Sequence, residues 1–117
     1  MIKGIGIDLI QLNRIKQSLD KSGRLAQRIL TDREYDLFNG YTSEKRKIEF
    51  LAGRFAAKEA FAKATGRGIG KLSFKDIEVL SAKSGAPILR AIGYENERIL
   101  ISISHSDDYA IAQVVIG

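Results

Sequence analysis

Apolar residues alternate with small and polar ones at the start of the chain. Ile5, Ile7 and Leu9 fall on one side of an extended backbone and Gly4, Gly6 and Asp8 on the other, which predicts a strand over Ile2 to Leu9. From Ile10 to about Leu30 the period is that of a helix, through Ile15, Leu19, Leu25, Ile29 and Leu30, with a break at Ser22-Gly23. Thr31 followed by Glu34 has the spacing of a capping box, so a short helix is predicted to open there and to close near Asn39-Gly40. Ser43 opens the longest predicted helix. It runs to about Thr65, buries a stripe of Ile48, Leu51, Ala52, Phe55, Ala56 and Ala62, and stops at Gly66. Beyond the glycine-rich run Gly66 to Lys71 the pattern is that of strands. Phe74 to Leu80 is followed by Ile88 to Ile92 after the turn Ser84-Gly85-Ala86-Pro87, then by Arg98 to His105 and Tyr109 to Ile116 about a tight Ser106-Asp107-Asp108 turn. A strand, a group of helices and a run of antiparallel strands predict an α+β fold. No repeat, low-complexity tract or linker interrupts residues 1–117, which are expected to form one domain.

Composition narrows the function classes. With 44% apolar and 28% charged residues, the 117-residue chain is globular in character. That length leaves room for a core but little for a deep private cleft, a reason for a small enzyme to build its site between subunits. The absence of cysteine excludes a disulfide, a thiolate zinc site and a thiol nucleophile. No stretch approaches the roughly 20 apolar residues of a membrane span, and the N-terminus lacks the pattern of a signal peptide, so a soluble cytoplasmic protein is expected. The formal charge of +5 is uneven: between Ile10 and Arg33 stand Arg14, Lys16, Lys21, Arg24, Arg28 and Arg33 against Asp20 and Asp32. Such a field steers acidic partners, although a solvated helix face is the plainer reading of a charge cluster alone.

A few residues break their local pattern. Asp8 lies in an apolar strand on the same face as two glycines, which leave room for something bulky to approach; it is either a strand end capping the next helix or a ligand. Glu59 points toward the apolar stripe of the long helix, where it either pairs with Lys63 one turn on or binds a metal. Together the two acids supply the hard oxygen ligands of a magnesium site. The run Gly66-Arg67-Gly68-Ile69-Gly70-Lys71 departs from the P-loop pattern, and by itself reads as a helix C-cap with a turn. His105, the one histidine, ends a strand beside Ser104 and Ser106. It is open to a phosphate contact, proton transfer or no special role, and nothing establishes a hydrolase triad.

GIGIDLI at the N-terminus, FLAGRFAAKEAFAKA with the following GRGIG, and ISISH near the C-terminus together resemble the bacterial holo-[acyl-carrier-protein] synthases, over Met1 to Val115. The chain resembles the short type of these 4′-phosphopantetheinyl transferases. The resemblance implies an antiparallel sheet packed on a long helix, a homotrimer with active sites at subunit interfaces, coenzyme A as donor, Mg2+ as cofactor and acyl carrier protein as acceptor. It implies transfer of 4′-phosphopantetheine to a carrier serine with release of 3′,5′-ADP, in support of fatty acid biosynthesis. Asp8 and Glu59 match the metal-binding acids. Lys63 resembles the lysine near the coenzyme A phosphates, Gly66 and Gly68 belong to the loop bordering the cofactor, and Ser104, His105 and Ser106 match the segment near the 3′-phosphate. Serine at both of the latter hydroxyl positions is a mild departure from the frequent threonine. Arg14, Lys21, Arg24 and Arg28 look like the docking surface for the acidic carrier. The catalytic residues implied are Glu59, Lys63 and His105, with Glu59 acting as base through a magnesium-bound water and His105 the alternative. Two rivals are a nucleic-acid-binding module, which the lack of aromatics near the basic helix disfavours, and a non-enzymatic trimeric scaffold, which leaves Asp8 and Glu59 unexplained.

Overall fold

The computed structural model describes residues 1–68 and 72–117; Ile69, Gly70 and Lys71 of the glycine-rich run lie outside the described residues. Strand β1 (Gly4–Gln11) leads into helices α1 (Leu12–Lys21), α2 (Arg24–Ile29) and α3 (Asp32–Gly40), and then into the long α4 (Glu44–Thr65). Strands β2 (Ile77–Ser81), β3 (Pro87–Ala91), β4 (Ile99–His105) and β5 (Tyr109–Ile116) follow. β5 is the middle strand of an antiparallel sheet between β1 and β4, while β2 and β3 pair separately. Helix α4 packs across one face of the three-stranded sheet, giving the expected α+β arrangement.

Most boundaries follow the local signals. Thr31 accepts from the Glu34 amide and Glu34 from the Thr31 amide, the reciprocal box anticipated at α3. Gly66 ends α4 in the left-handed region at φ 75°. The β4–β5 hairpin closes with the Ser106 amide donating to the Tyr109 carbonyl at 2.9 Å. Other boundaries shift by one to three residues, the first strand running from Gly4 to Gln11 and not from Ile2 to Leu9. The helix expected from Ile10 begins at Leu12, because pairing with β5 holds β1 extended as far as Gln11 opposite Tyr109. The strand expected from Phe74 begins at Ile77. Phe74–Asp76 forms a 3-10 turn under a capping box between Ser73 and Asp76, a polar signal that overrides the apolar run.

Helix α4 is a core helix and not one with a single buried stripe. Leu51, Ala52, Ala56, Ala57, Ala60 and Phe61 are inaccessible, and buried positions go round the helix. Phe55, expected in the stripe, is half-buried and stacks on Phe74 at 5.6 Å between ring centroids. Lys58 is buried at 0% exposure. Its ammonium donates to Glu34 Oε1 at 2.6 Å and to the Ile29 carbonyl at 2.7 Å. Glu34, also inaccessible, accepts from the Val79 amide at 2.7 Å. Burial pushes the Lys58 ammonium below its ordinary range, opposed by the charge of Glu34.

Candidate active site

The crossing of β1 and α4 brings together three residues singled out in the sequence. A Cβ on Gly6 would stand 1.9 Å from the Ala60 carbonyl oxygen, and one on Gly4 equally close to that of Ala64. The space on the Asp8 face of β1 is thus filled by the backbone of α4, and not left open for a ligand as the glycines suggested. The close approach sets Asp8 beside the last turns of α4. There the Lys63 ammonium donates to Asp8 Oδ1 and to the Ile7 carbonyl, both at 3.0 Å. The i,i+4 pair of Glu59 with Lys63 is not formed; Lys63 turns to the strand. Glu59 is half-buried, and its carboxyl is raised above the usual carboxylate range, first by burial and then by the negative charge of Asp8, against the opposing pull of Lys63. Two neighbouring carboxylates, the charge of Asp8 helping to raise the Glu59 carboxyl, have the donor chemistry for a hard divalent cation.

The glycine-rich run leaves α4 immediately beyond this cluster. Gly66 and Gly68 both have positive φ, 75° and 72°, with open space where a Cβ would stand. Their requirement is conformational, not steric. Arg67 between them donates to the Tyr94 hydroxyl at 3.2 Å, and the Tyr94 ring meets Phe61 edge-on.

His105 lies elsewhere. Asp8 is opposite Ala112, which is opposite Ile103, so His105 sits two strands across and two residues along, roughly 12 Å from Asp8 between Cα atoms. Its Nε2 is 3.0 Å from the Glu49 carbonyl, on the N-terminal half of α4. The absent side chain of Gly53 makes room for the ring: a Cβ there would lie 3.2 Å from Nε2. Gly53 is thus a functional position outside the candidates above, and a glycine inside a long helix is a signal in itself. Ser104 alternates with His105 and faces the opposite side of the sheet, while the Ser106 hydroxyl oxygen accepts from the Asp108 and Tyr109 amides in the hairpin turn. Arg14, Lys21, Arg24 and Arg28 are exposed on α1 and α2, and among the described residues none of them forms an ion pair.

Comparison with known proteins decides the family. The sequence matches the 4′-phosphopantetheinyl transferase superfamily over residues 4–114. It is 53% identical to the holo-[acyl-carrier-protein] synthase of Oceanobacillus iheyensis over 116 residues, 99% of this chain and 97% of that one. It is 54% identical to that of Enterococcus faecalis over the same shares of the two chains. The chain belongs to the holo-[acyl-carrier-protein] synthases. Among solved structures, the fold matches the Bacillus anthracis holo-(acyl-carrier-protein) synthase in complex with CoA (3′,5′-ADP). The TM-score is 0.90 and the identity 51%, with 99% of this chain and 96% of that chain covered. The Helicobacter pylori synthase in complex with coenzyme A matches with a TM-score of 0.84 at 35% identity, covering 97% and 99%.

As a synthase of this family the chain presents one more feature, which the alternation of β1 already contained. The sheet face turned away from α4 is open and largely apolar: Ile5, Ile7 and Leu9 on β1, Tyr109 and Ile111 on β5 and Leu100 on β4 are exposed, the first three each by more than half, with Gln113, Ser102 and Ser104 as the polar positions among them. So many exposed aliphatic side chains on one face of a small protein call for a cover.

Proposed function

We propose that the protein transfers 4′-phosphopantetheine from coenzyme A to a serine hydroxyl of apo acyl carrier protein and releases 3′,5′-ADP, in support of fatty acid biosynthesis. Membership of the synthase family over nearly the whole chain supports the reading. The observation that carries it is the cluster of Asp8, Glu59 and Lys63 where β1 crosses α4. The serine oxygen attacks the β-phosphorus of coenzyme A, the bond from that phosphorus to the bridging oxygen breaks, and 3′,5′-ADP leaves with the oxygen. Glu59, beside Asp8 and Lys63, is read as the group that takes the serine proton. Lys63 brings a positive charge to the phosphates. Asp8 and Glu59 would hold Mg2+, which when bound supplies charge neutralisation at the pyrophosphate.

Ser104, His105 and Ser106, at the far end of the sheet, are read as contacts for the 3′-phosphate, and Gly66 and Gly68 as the cofactor loop. Within one chain the histidine is too distant to act at the acid cluster. The open apolar sheet face supports a homotrimer in which the β4 end of one copy meets the β1–α4 crossing of the next, so that each site is shared. The acidic carrier docks on Arg14, Lys21, Arg24 and Arg28. No helix among the described residues is long and apolar enough to cross a membrane, in keeping with a cytoplasmic enzyme.

Intact mass of apo acyl carrier protein after incubation with the protein, coenzyme A and magnesium tests the reading. A gain of one phosphopantetheine is expected, lost with EDTA and with Glu59→Ala. No gain on several carriers by the folded protein would refute it.

A further inference from the structure

Lys58 precedes Glu59 on α4 and lies in the core, on a different side of the helix from the half-buried acid. Its ammonium is held by two partners from other elements, the Ile29 carbonyl at 2.7 Å and Glu34 Oε1 at 2.6 Å. Ile29 is the last residue of α2, and the closing carbonyls of a helix lack partners within it. An ammonium there also meets the negative end of the helix dipole. Glu34 is fixed in turn by the amides of Thr31, at 2.9 Å, and Val79, at 2.7 Å. One ammonium thus joins the end of α2, the start of α3 and strand β2 to α4.

A buried ion pair is a weak source of stability, since apolar side chains of the same volume serve as well or better. What such a pair supplies is registry. Helix α2 has six residues, fewer than a helix needs to hold its own shape, and buries only Ala26 and Ile29. Arg24 and Arg28 project from it into solvent.

We propose that Lys58 is a positioning residue for carrier recognition: it ties the end of α2 to the helix that bears Glu59 and so fixes Arg24 and Arg28 relative to the reacting serine's destination. The proposal rests on the reading of α2 as part of the carrier surface. With α2 free to shift, Arg24 and Arg28 have to be ordered each time the carrier docks, and that cost falls on carrier binding.

Two measurements test it. The first is amide hydrogen exchange on the wild-type protein. The tether requires the Leu30 amide, which donates to the Ala26 carbonyl, to exchange with the slow amides of α4 and not as a fraying six-residue helix. Fast exchange there overturns the proposal whatever the variants do. The second is steady-state kinetics of Lys58→Met/Glu34→Gln, with Arg24→Ala/Arg28→Ala alongside. The first variant should raise the KM for the carrier by about tenfold, with kcat and the KM for coenzyme A within about twofold of wild type. Lys58→Arg, which keeps the donors, should restore the carrier KM. Equal rises in both KM values, a fall in kcat alone or no change overturns the proposal. If Arg24→Ala/Arg28→Ala leaves the carrier KM unchanged, the docking reading of α2 fails. If it raises the KM and the Lys58 variant does not, only the tether fails.

Discussion

The α-carbon of Gly6 rests against the carbonyl of Ala60, so closely that a Cβ would stand 1.9 Å from the oxygen. Only a residue without a side chain lets β1 and α4 meet there, and that contact sets Asp8 beside Lys63 and Glu59. Gly6→Ala must push the helix off the sheet and is expected to cost more than about 3 kcal/mol, with much of the activity, because the clash is with backbone. Gly23→Ala, at a site with nothing within 4 Å, is expected to stay within about 0.5 kcal/mol of wild type. Urea unfolding of the two variants checks the contrast.

Gly53 permits His105 in a similar way but against a movable ring. Gly53→Ala places a Cβ 3.2 Å from Nε2, and the imidazole has to shift. The gain in helix propensity, about 1 kcal/mol, offsets the crowding, so stability should change little. The KM for coenzyme A should rise severalfold while that for the carrier holds. A displaced histidine ring signal in the NMR spectrum, together with the two KM values, tests this.

The raised carboxyl of Glu59 gives a stability signature with a definite sign. With the proton held more tightly in the folded state, Glu59 carries no penalty below the ordinary carboxylate pKa. Stability then falls as the pH rises through the interval up to the raised value and stays lowered above it. In EDTA, Glu59→Gln is therefore expected to melt higher than wild type at neutral pH, by about 2 °C given its partial exposure, with the gain gone at acid pH. The same variant should have lost orders of magnitude in turnover. Melting curves across the pH range and a transfer assay decide it.

The apolar outer face of the sheet should carry the assembly. Ile7→Glu puts a charge in its middle without touching the core, since Ile7 faces away from α4. The expected result is a monomer of unchanged helix and strand content and little activity, read by sedimentation and circular dichroism.

Local signals were legible where one residue's chemistry settled the backbone. The Thr31–Glu34 box, the Gly66 stop and the Ser106-Asp107-Asp108 turn are such cases, and the α+β order follows from them. What the sequence concealed depended on long-range contact. The burial of Lys58 has no local signal, because its partners Glu34 and Ile29 are 24 and 29 residues away. Asp8, Glu59 and Lys63 were picked out by their spacing and by family resemblance, but the pairing of Lys63 with the strand and not with Glu59 needed the crossing of β1 and α4. Phe74 offered an apolar strand start, and the polar pair Ser73 and Asp76 turned it instead.

The distance between Asp8 and His105 along one sheet has a genetic consequence. If each site takes its acids from one copy and its histidine from the next, two crippled proteins can repair each other. Asp8→Ala and His105→Ala subunits, each inactive alone, should regain activity when unfolded and refolded as a mixture. In a random mixture about a quarter of the interfaces pair an intact acid cluster with an intact histidine, the yield expected if the site belongs to the assembly and not to the chain.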